Sequence, residues 1–430
     1  MSESDYDSFL PSDWQTEVND ENCVAYRNRK TGIIVNRHPL SNVRRFLSEM
    51  PKMWVKTTTP KGESMFVNKE TGAKTYTDPR LALPFKRTPN GRPITRPKFD
   101  QFSTVTEVLD DCDVSGKHVV LLGGTGGVGW YLAKALTSRG AIVTCLSRNP
   151  PTTDWQPFPG PGCVPSSARS PFWASVDLTQ LKSVVAFAKT YISSSWPLDS
   201  LVLLAATVPE SGDAIECAGG FNSTLQVNFM AQVLLARLLH QRLCQAPQST
   251  ITFVSCEAYR ASSIIEAEDF YEALESNGLA SSTTLGRVQL YANTKHLQIL
   301  FAKALRQYQL CRKRRAPHIY VCSPGNLIWN SRIISRASWT CWWWLKILQF
   351  LAYPISKNME CAAATIAYCS VHPGACGHRS VNDSASDNFY FSGCVSLPLA
   401  EVIFKPEVVR AVWVRANALL ERHFPLPPWE

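Results

Sequence analysis

From Lys117 onward the chain alternates short apolar runs with longer stretches of mixed polarity. Lys117-His118-Val119-Val120-Leu121-Leu122 is followed by a helix-like pattern over Trp130 to Arg139 and then by a second apolar run, Ala141 to Leu146. Further runs fall at residues 201–206, 251–256 and 319–323, and a third strand is expected to close at Asp177-Leu178. Continuous apolar runs of this length fit strands covered on both faces, and strands separated by helices fit a parallel sheet. The pattern predicts an α/β fold with a doubly wound parallel sheet over residues 112–430.

Ahead of this domain the pattern is different. Pro11-x-x-Trp14 to Pro39 is repeated at a spacing of 40 residues by Pro51-x-x-Trp54 to Pro79. Each copy carries an aromatic before an Asn, as Tyr26-Arg27-Asn28 and Phe66-Val67-Asn68, and then a Thr-Gly turn, Thr31-Gly32 and Thr71-Gly72. Strand, turn and strand, repeated, predict two small antiparallel modules over residues 8–41 and 48–81. The basic, proline-spotted stretch 82–111 reads as a linker.

Composition narrows the class. The formal charge of +9 is spread thinly, and the one dense run, Arg312-Lys313-Arg314-Arg315, reads as a solvated loop with a nuclear-import patch as the alternative. Nucleic acid is therefore not an expected partner. The 14 cysteines are scattered, with no C-x-x-C pair, so neither a metal site nor a disulfide framework is expected. Met1 to Leu10 lacks the features of a secretory signal, which makes the cytoplasm the expected location, with nucleus or mitochondrion as alternatives. Trp339 to Tyr353 is too short to span a bilayer and carries Lys346, so no transmembrane span is expected. An amphipathic helix over a substrate cleft is expected there, with a membrane-surface contact as the alternative.

Candidate chemistry begins where the first apolar run ends. Gly123, Gly127 and Gly129, with Val128 between the last two, form a turn in which backbone can approach a pyrophosphate held on a helix N-terminus. The second strand ends at Ser147-Arg148, and an Arg at that place accommodates the extra phosphate of NADP, where NAD would be met by an acid. Tyr291 and Lys295 are four residues apart on an expected helix, so both side chains leave one face. A nearby ammonium favours the phenolate form of a tyrosine and suits it to proton transfer.

Two resemblances follow from these residues. The repeated modules resemble WW domains, in which two aromatics grip a proline-rich, extended ligand. By that resemblance Tyr26, Phe66 and Tyr76 are the candidate peptide-binding residues, and Asn36 removes half of the slot in the first module. The large domain resembles the short-chain dehydrogenase/reductase family. Its landmarks occur in order: the glycine turn, Asp177-Leu178, Leu204-Ala205-Ala206, Asn228, Tyr291-x-x-x-Lys295 and Pro324-Gly325. The resemblance implies dinucleotide contacts at Gly123, Gly127, Val128, Gly129, Arg148, Asp177, Leu178, Ala205, Tyr291, Lys295, Pro324 and Gly325. NADP is the expected cofactor, with NAD as the alternative. It also implies proton transfer by Tyr291, a relay water anchored by Asn228, and an alcohol or carbonyl substrate of apolar character.

One position departs from that family. The strand Ile251 to Cys256 carries Cys256 where a serine would hold the substrate oxygen. A thiol is a weak donor, and Ser255 faces the other side of the strand. Reduced turnover is the expectation, and the rival class is an adaptor that binds proline-rich partners and turns over poorly. Residues 149–171 carry seven prolines where a crossover helix is expected, so a loop is predicted. The prolyl stretches 155–161 and 424–429 are candidate internal ligands for the second module.

Overall fold

The computed structural model describes residues 14–18, 23–36, 45–46, 54–58, 64–69, 72, 74–75 and 78 of the N-terminal region. Beyond it, residues 98–151, 155–162, 170–208, 217, 220–266, 268–269, 284–312, 316–325, 357–376, 389–397, 399 and 405–429 are described. Two compact units divide at Lys98/Phe99. Tyr76, Lys313 to Arg315 and the tryptophan-rich stretch 339–353 lie outside the described residues.

The first unit holds two antiparallel sheets. β1 (Trp14–Val18), β2 (Cys23–Asn28) and β3 (Ile34–Val35) form the first, with β4 (Arg45–Phe46) added against β2. β5 (Trp54–Thr58), β6 (Ser64–Asn68) and β7 (Lys74–Thr75) form the second. The sequence repeat returns as a repeat of register, since Trp14 pairs with Asn28 and Trp54 with Asn68. Gly32 and Gly72 adopt φ near +70 and donate to the carbonyls of Asn28 and Asn68, a turn that glycine enters without strain.

Burial corrects the expected peptide slot. Tyr26 is 1% exposed and Phe66 4%, so both rings belong to the small cores of their sheets. A ring closed off to this degree offers no open face to a peptide.

The second unit is built on a sheet whose order among the described residues is β10-β11-β9-β8-β12-β13-β14-β15-β16. These are β8 (His118–Leu122), β9 (Ile142–Ser147), β10 (Gln156–Pro157), β11 (Phe172–Ser175), β12 (Ser200–Leu203), β13 (Thr250–Val254), β14 (His318–Ser323), β15 (Tyr390–Ser392) and β16 (Val395–Ser396). Every pairing is parallel except the terminal β15–β16 hairpin. Strand order reverses between β8 and β12, which opens a crevice at their carboxyl ends.

Helices cover both faces. α1 (Val105–Asp110), α2 (Gly127–Thr137) and α6 (Met359–Val371) bury Val108, Leu132 and Ala363 on one side. α3 (Leu181–Ser193), α4 (Ala231–Gln245), α5 (Thr284–Arg312) and α7 (Pro406–His423) bury Val184, Leu234, Leu297 and Val412 on the other. α1 starts inside the stretch expected to be linker. Thr104 caps it and Glu107 returns the bond to the Thr104 amide, so this helix is locally specified and the large unit begins at Phe99. Among the described residues no helix is long and apolar enough to cross a membrane.

Both prolyl stretches expected to serve as internal ligands are built into the large unit. Gln156–Pro157 forms the sheet-edge strand β10, and Phe158 packs among Phe187, Tyr191 and Trp196. At the other end Trp429 is 4% exposed, packs near Phe301 and Trp413, and donates its indole N–H to Asn417 Oδ1 at 2.8 Å. Arg237 holds the same tail through the Pro427 carbonyl at 2.8 Å and Glu421 at 2.6 Å. Trp429→Ala is expected to lower the stability of the large unit by about 3–5 kcal/mol, the usual cost of deleting a buried tryptophan, read as a depressed calorimetric melting point.

Candidate active site

The crevice is shaped by close backbone approach. A Cβ on Gly123 would lie 2.9 Å from the Ala205 backbone, and one on Gly129 would lie 2.3 Å from the Gly123 carbonyl oxygen. Either methyl would force the turn after β8 away from β12 or from α2. Gly127 differs: its φ is +54, and a Cβ there would meet nothing within 4 Å. Open space therefore faces Gly127 at the start of α2. That helix has no side-chain cap at Gly126 and no acid in its first turn. Uncapped N–H groups beside an open cradle fit the pyrophosphate of a dinucleotide.

Other expected cofactor contacts line the same sheet edge. Arg148 is exposed just past β9, and its carbonyl accepts from Ser175 Oγ at 3.3 Å. Asp177 lies past β11 and accepts the Thr179 amide and hydroxyl through Oδ1. Leu178 is buried, with its carbonyl accepting from Gln226 Nε2 at 3.0 Å. Ala205 donates its N–H to the Leu122 carbonyl, which ties the ends of β8 and β12 together. Pro324 is buried and Gly325 takes φ of +88 past the end of β14.

Tyr291 and Lys295 project from α5 toward the ends of β13 and β14. Cys256 Sγ lies 3.7 Å from the Tyr291 hydroxyl, whereas Ser255 Oγ turns away to the Lys295 carbonyl at 2.9 Å. The two side chains part just past the end of β13, and Cys256 is the one that meets the tyrosine. Burial holds the Tyr291 phenol well above its usual range, and the adjacent thiol adds to the effect. Lys295 Nζ donates to the Val254 carbonyl at 2.9 Å and to Gln298 Oε1 at 3.3 Å, and sits 5.7 Å from the Tyr291 ring centre. Burial pulls the ammonium below its ordinary range. The thiol and the ammonium thus flank the phenol from two sides, Cys256 at its hydroxyl and Lys295 near its ring.

Asn228 is buried and tied to a neighbouring loop. The chain widens into a π turn over Gln226–Met230, ahead of α4, a distortion found often at functional positions. From that turn the Asn228 amide clasps Thr207, accepting its N–H at 2.7 Å and donating to its carbonyl at 2.9 Å, with a further bond to Thr294 Oγ1. The backbone carbonyl of Asn228 accepts from Gln298 Nε2 at 2.9 Å. Gln298 and its partner Gln232 belong to no motif in the sequence. The available signal was a glutamine three residues past Lys295, hence on the same helical face.

Comparisons with known proteins agree with this geometry. The short chain dehydrogenase family matches residues 117–267. The WW domain-containing oxidoreductase of Gallus gallus is 30% identical over 431 residues, covering 98% of this chain and 96% of that protein. Retinol dehydrogenase 11 of Homo sapiens is 27% identical over 267 residues, covering 60% of this chain and 74% of its own. A solved structure of an uncharacterised protein from Mycobacterium paratuberculosis shares the fold at a TM-score of 0.50 and 18% identity, covering 74% of this chain and 98% of its own. The glycine cradle at the switch point, with a Tyr–Lys pair across the crevice, therefore belongs to an oxidoreductase of the short-chain dehydrogenase class. Within that class the chain belongs to the WW domain-containing oxidoreductase family.

The clasp on Thr207 gives a test of local order. Asn228→Ala takes the partner from the half-buried N–H and carbonyl of Thr207, and the expected loss of stability is at most about 1–3 kcal/mol. Denaturant unfolding should show the loss, and amide exchange at Thr207 should accelerate.

Proposed function

We propose that the large unit is an NADP-dependent reductase and dehydrogenase that interconverts an alcohol and a carbonyl on an apolar substrate. The observation that carries this reading is the Tyr291 hydroxyl 3.7 Å from Cys256, past the end of β13, with the close glycine turn at the neighbouring ends of β8 and β12. A bound nicotinamide supplies or receives the hydride. The Tyr291 hydroxyl gives its proton to the carbonyl oxygen as that oxygen becomes an alkoxide, so reduction yields the neutral alcohol. Cys256 takes the place of the donor to the developing oxyanion, and its thiol is a weak one. Arg148, exposed at the end of β9, is the residue on which the preference for the NADP phosphate rests. The name of the human relative, a retinol dehydrogenase, supports an apolar alcohol as the substrate class.

The N-terminal modules supply a second reading. By their family they engage proline-rich segments of partner proteins, and the second module is the stronger candidate because Asn36 interrupts the first. Cys256 favours the adaptor form of this reading, in which the large unit binds cofactor and turns over slowly. A cytoplasmic location, with nucleus or mitochondrion as alternatives, is part of the proposal.

Titration of the full chain with NADPH, followed by a panel of apolar aldehydes and ketones, separates the readings. Tyr291→Phe should retain NADPH binding and lose carbonyl reduction; oxidation of NADPH unchanged by this substitution would sink the enzyme reading. Cys256→Ser should raise turnover by about 10²–10³, the usual worth of one well-placed oxyanion donor. Arg148→Asp should weaken NADPH binding while leaving NADH binding equal or tighter, as measured by cofactor fluorescence.

A further inference from the structure

Lys295 is 2% exposed, and Asn228, Gln232 and Gln298 are fully buried around it. The Lys295 ammonium donates to Gln298 Oε1, and Gln298 Nε2 donates onward to Gln232 Oε1 at 2.7 Å and to the Asn228 carbonyl. Gln232 Nε2 donates in turn to the Ala205 carbonyl at 2.7 Å and to the Val227 carbonyl at 3.3 Å. Every bond in this chain runs the same way. Each amide turns its oxygen toward the lysine and its N–H groups away from it, so both side-chain dipoles favour positive charge at Nζ. The far end is anchored on Ala205, the backbone that Gly123 approaches at the crevice floor.

We propose that Gln298, backed by Gln232, is a positioning residue that holds the Lys295 side chain as a fixed cation beside Tyr291 and ties it to the cofactor-side loop at Ala205. Its catalytic meaning rests on the proposed oxidoreductase function. The hydrogen-bond chain itself does not depend on that function. The titratable groups facing the ammonium are Tyr291 on the same helix, Cys256 past the end of β13 and Cys322 on β14. A buried ammonium is otherwise pressed toward the neutral amine by desolvation, and the carbonyls of Val254 and Gln298 oppose that pressure. Both Gln298 donors are committed to acceptors. The amide therefore cannot rotate its N–H groups toward Lys295 without breaking two buried bonds.

The test reads the lysine directly. The full chain carrying ¹³Cε-lysine is titrated by NMR, with the Lys295 signal assigned by its disappearance in Lys295→Arg. Gln298→Met keeps the volume and removes the strong acceptor, so the Lys295 midpoint should fall by about one pH unit, a tenfold shift toward the amine. Gln298→Glu places a carboxylate at the same site and should move the midpoint up. Unchanged midpoints in both folded variants would overturn the proposal. If Gln298→Met does not fold, Gln298→Glu decides alone, because a rise supports the arrangement and no shift overturns it. NADPH binding of the parent protein, followed by fluorescence, is measured in parallel. Its absence would remove the proposed cofactor, and the Lys295 titration would still decide the role of Gln298.

Discussion

A charge removed from water must be given oxygens, and the centre of the large unit is arranged around that need at Lys295. The oxygens come from β13 through Val254 and from α5 through Gln298, while the π turn before α4 and the loop after β12 hold Gln298 and Gln232 in place. Four separate parts of the chain thus converge on one ammonium. The same convergence fixes the position of Tyr291 one turn earlier on α5 and brings its hydroxyl to Cys256.

The opposite side of the crevice depends on the absence of side chains. Gly123 and Gly129 allow backbone to approach backbone where any methyl would collide, and Gly127 leaves its side of the turn open. Bare backbone forms one wall and a dense amide network the other. One wall leaves room for an anion, and the other fixes the side chains around Lys295. At Cys256 a weaker donor keeps the geometry, since the thiol reaches the Tyr291 hydroxyl.

Proline has two roles in this chain. In the first unit it belongs to the repeat that marks the small antiparallel modules. In the second, prolines at 157 and 427 are drawn into the dehydrogenase unit, one on a sheet edge and one held by Arg237. Rigid prolyl segments lose little entropy when they dock against a folded surface, which suits them to either use. Composition alone does not distinguish the two.

The sequence by itself determined the parallel sheet, the glycine turn and the Tyr291–Lys295 pair, because these follow from periodicity and from short spacings that local backbone geometry enforces. The tandem modules were legible for the same reason, as a repeat. Tertiary structure alone decided that Tyr26 and Phe66 fill cores, that Asn228 clasps Thr207, and that Gln298 and Gln232 complete the surroundings of Lys295. Which face of a short strand is covered depends on what packs over it. A hydrogen-bond partner 66 residues away leaves no periodic trace in the chain.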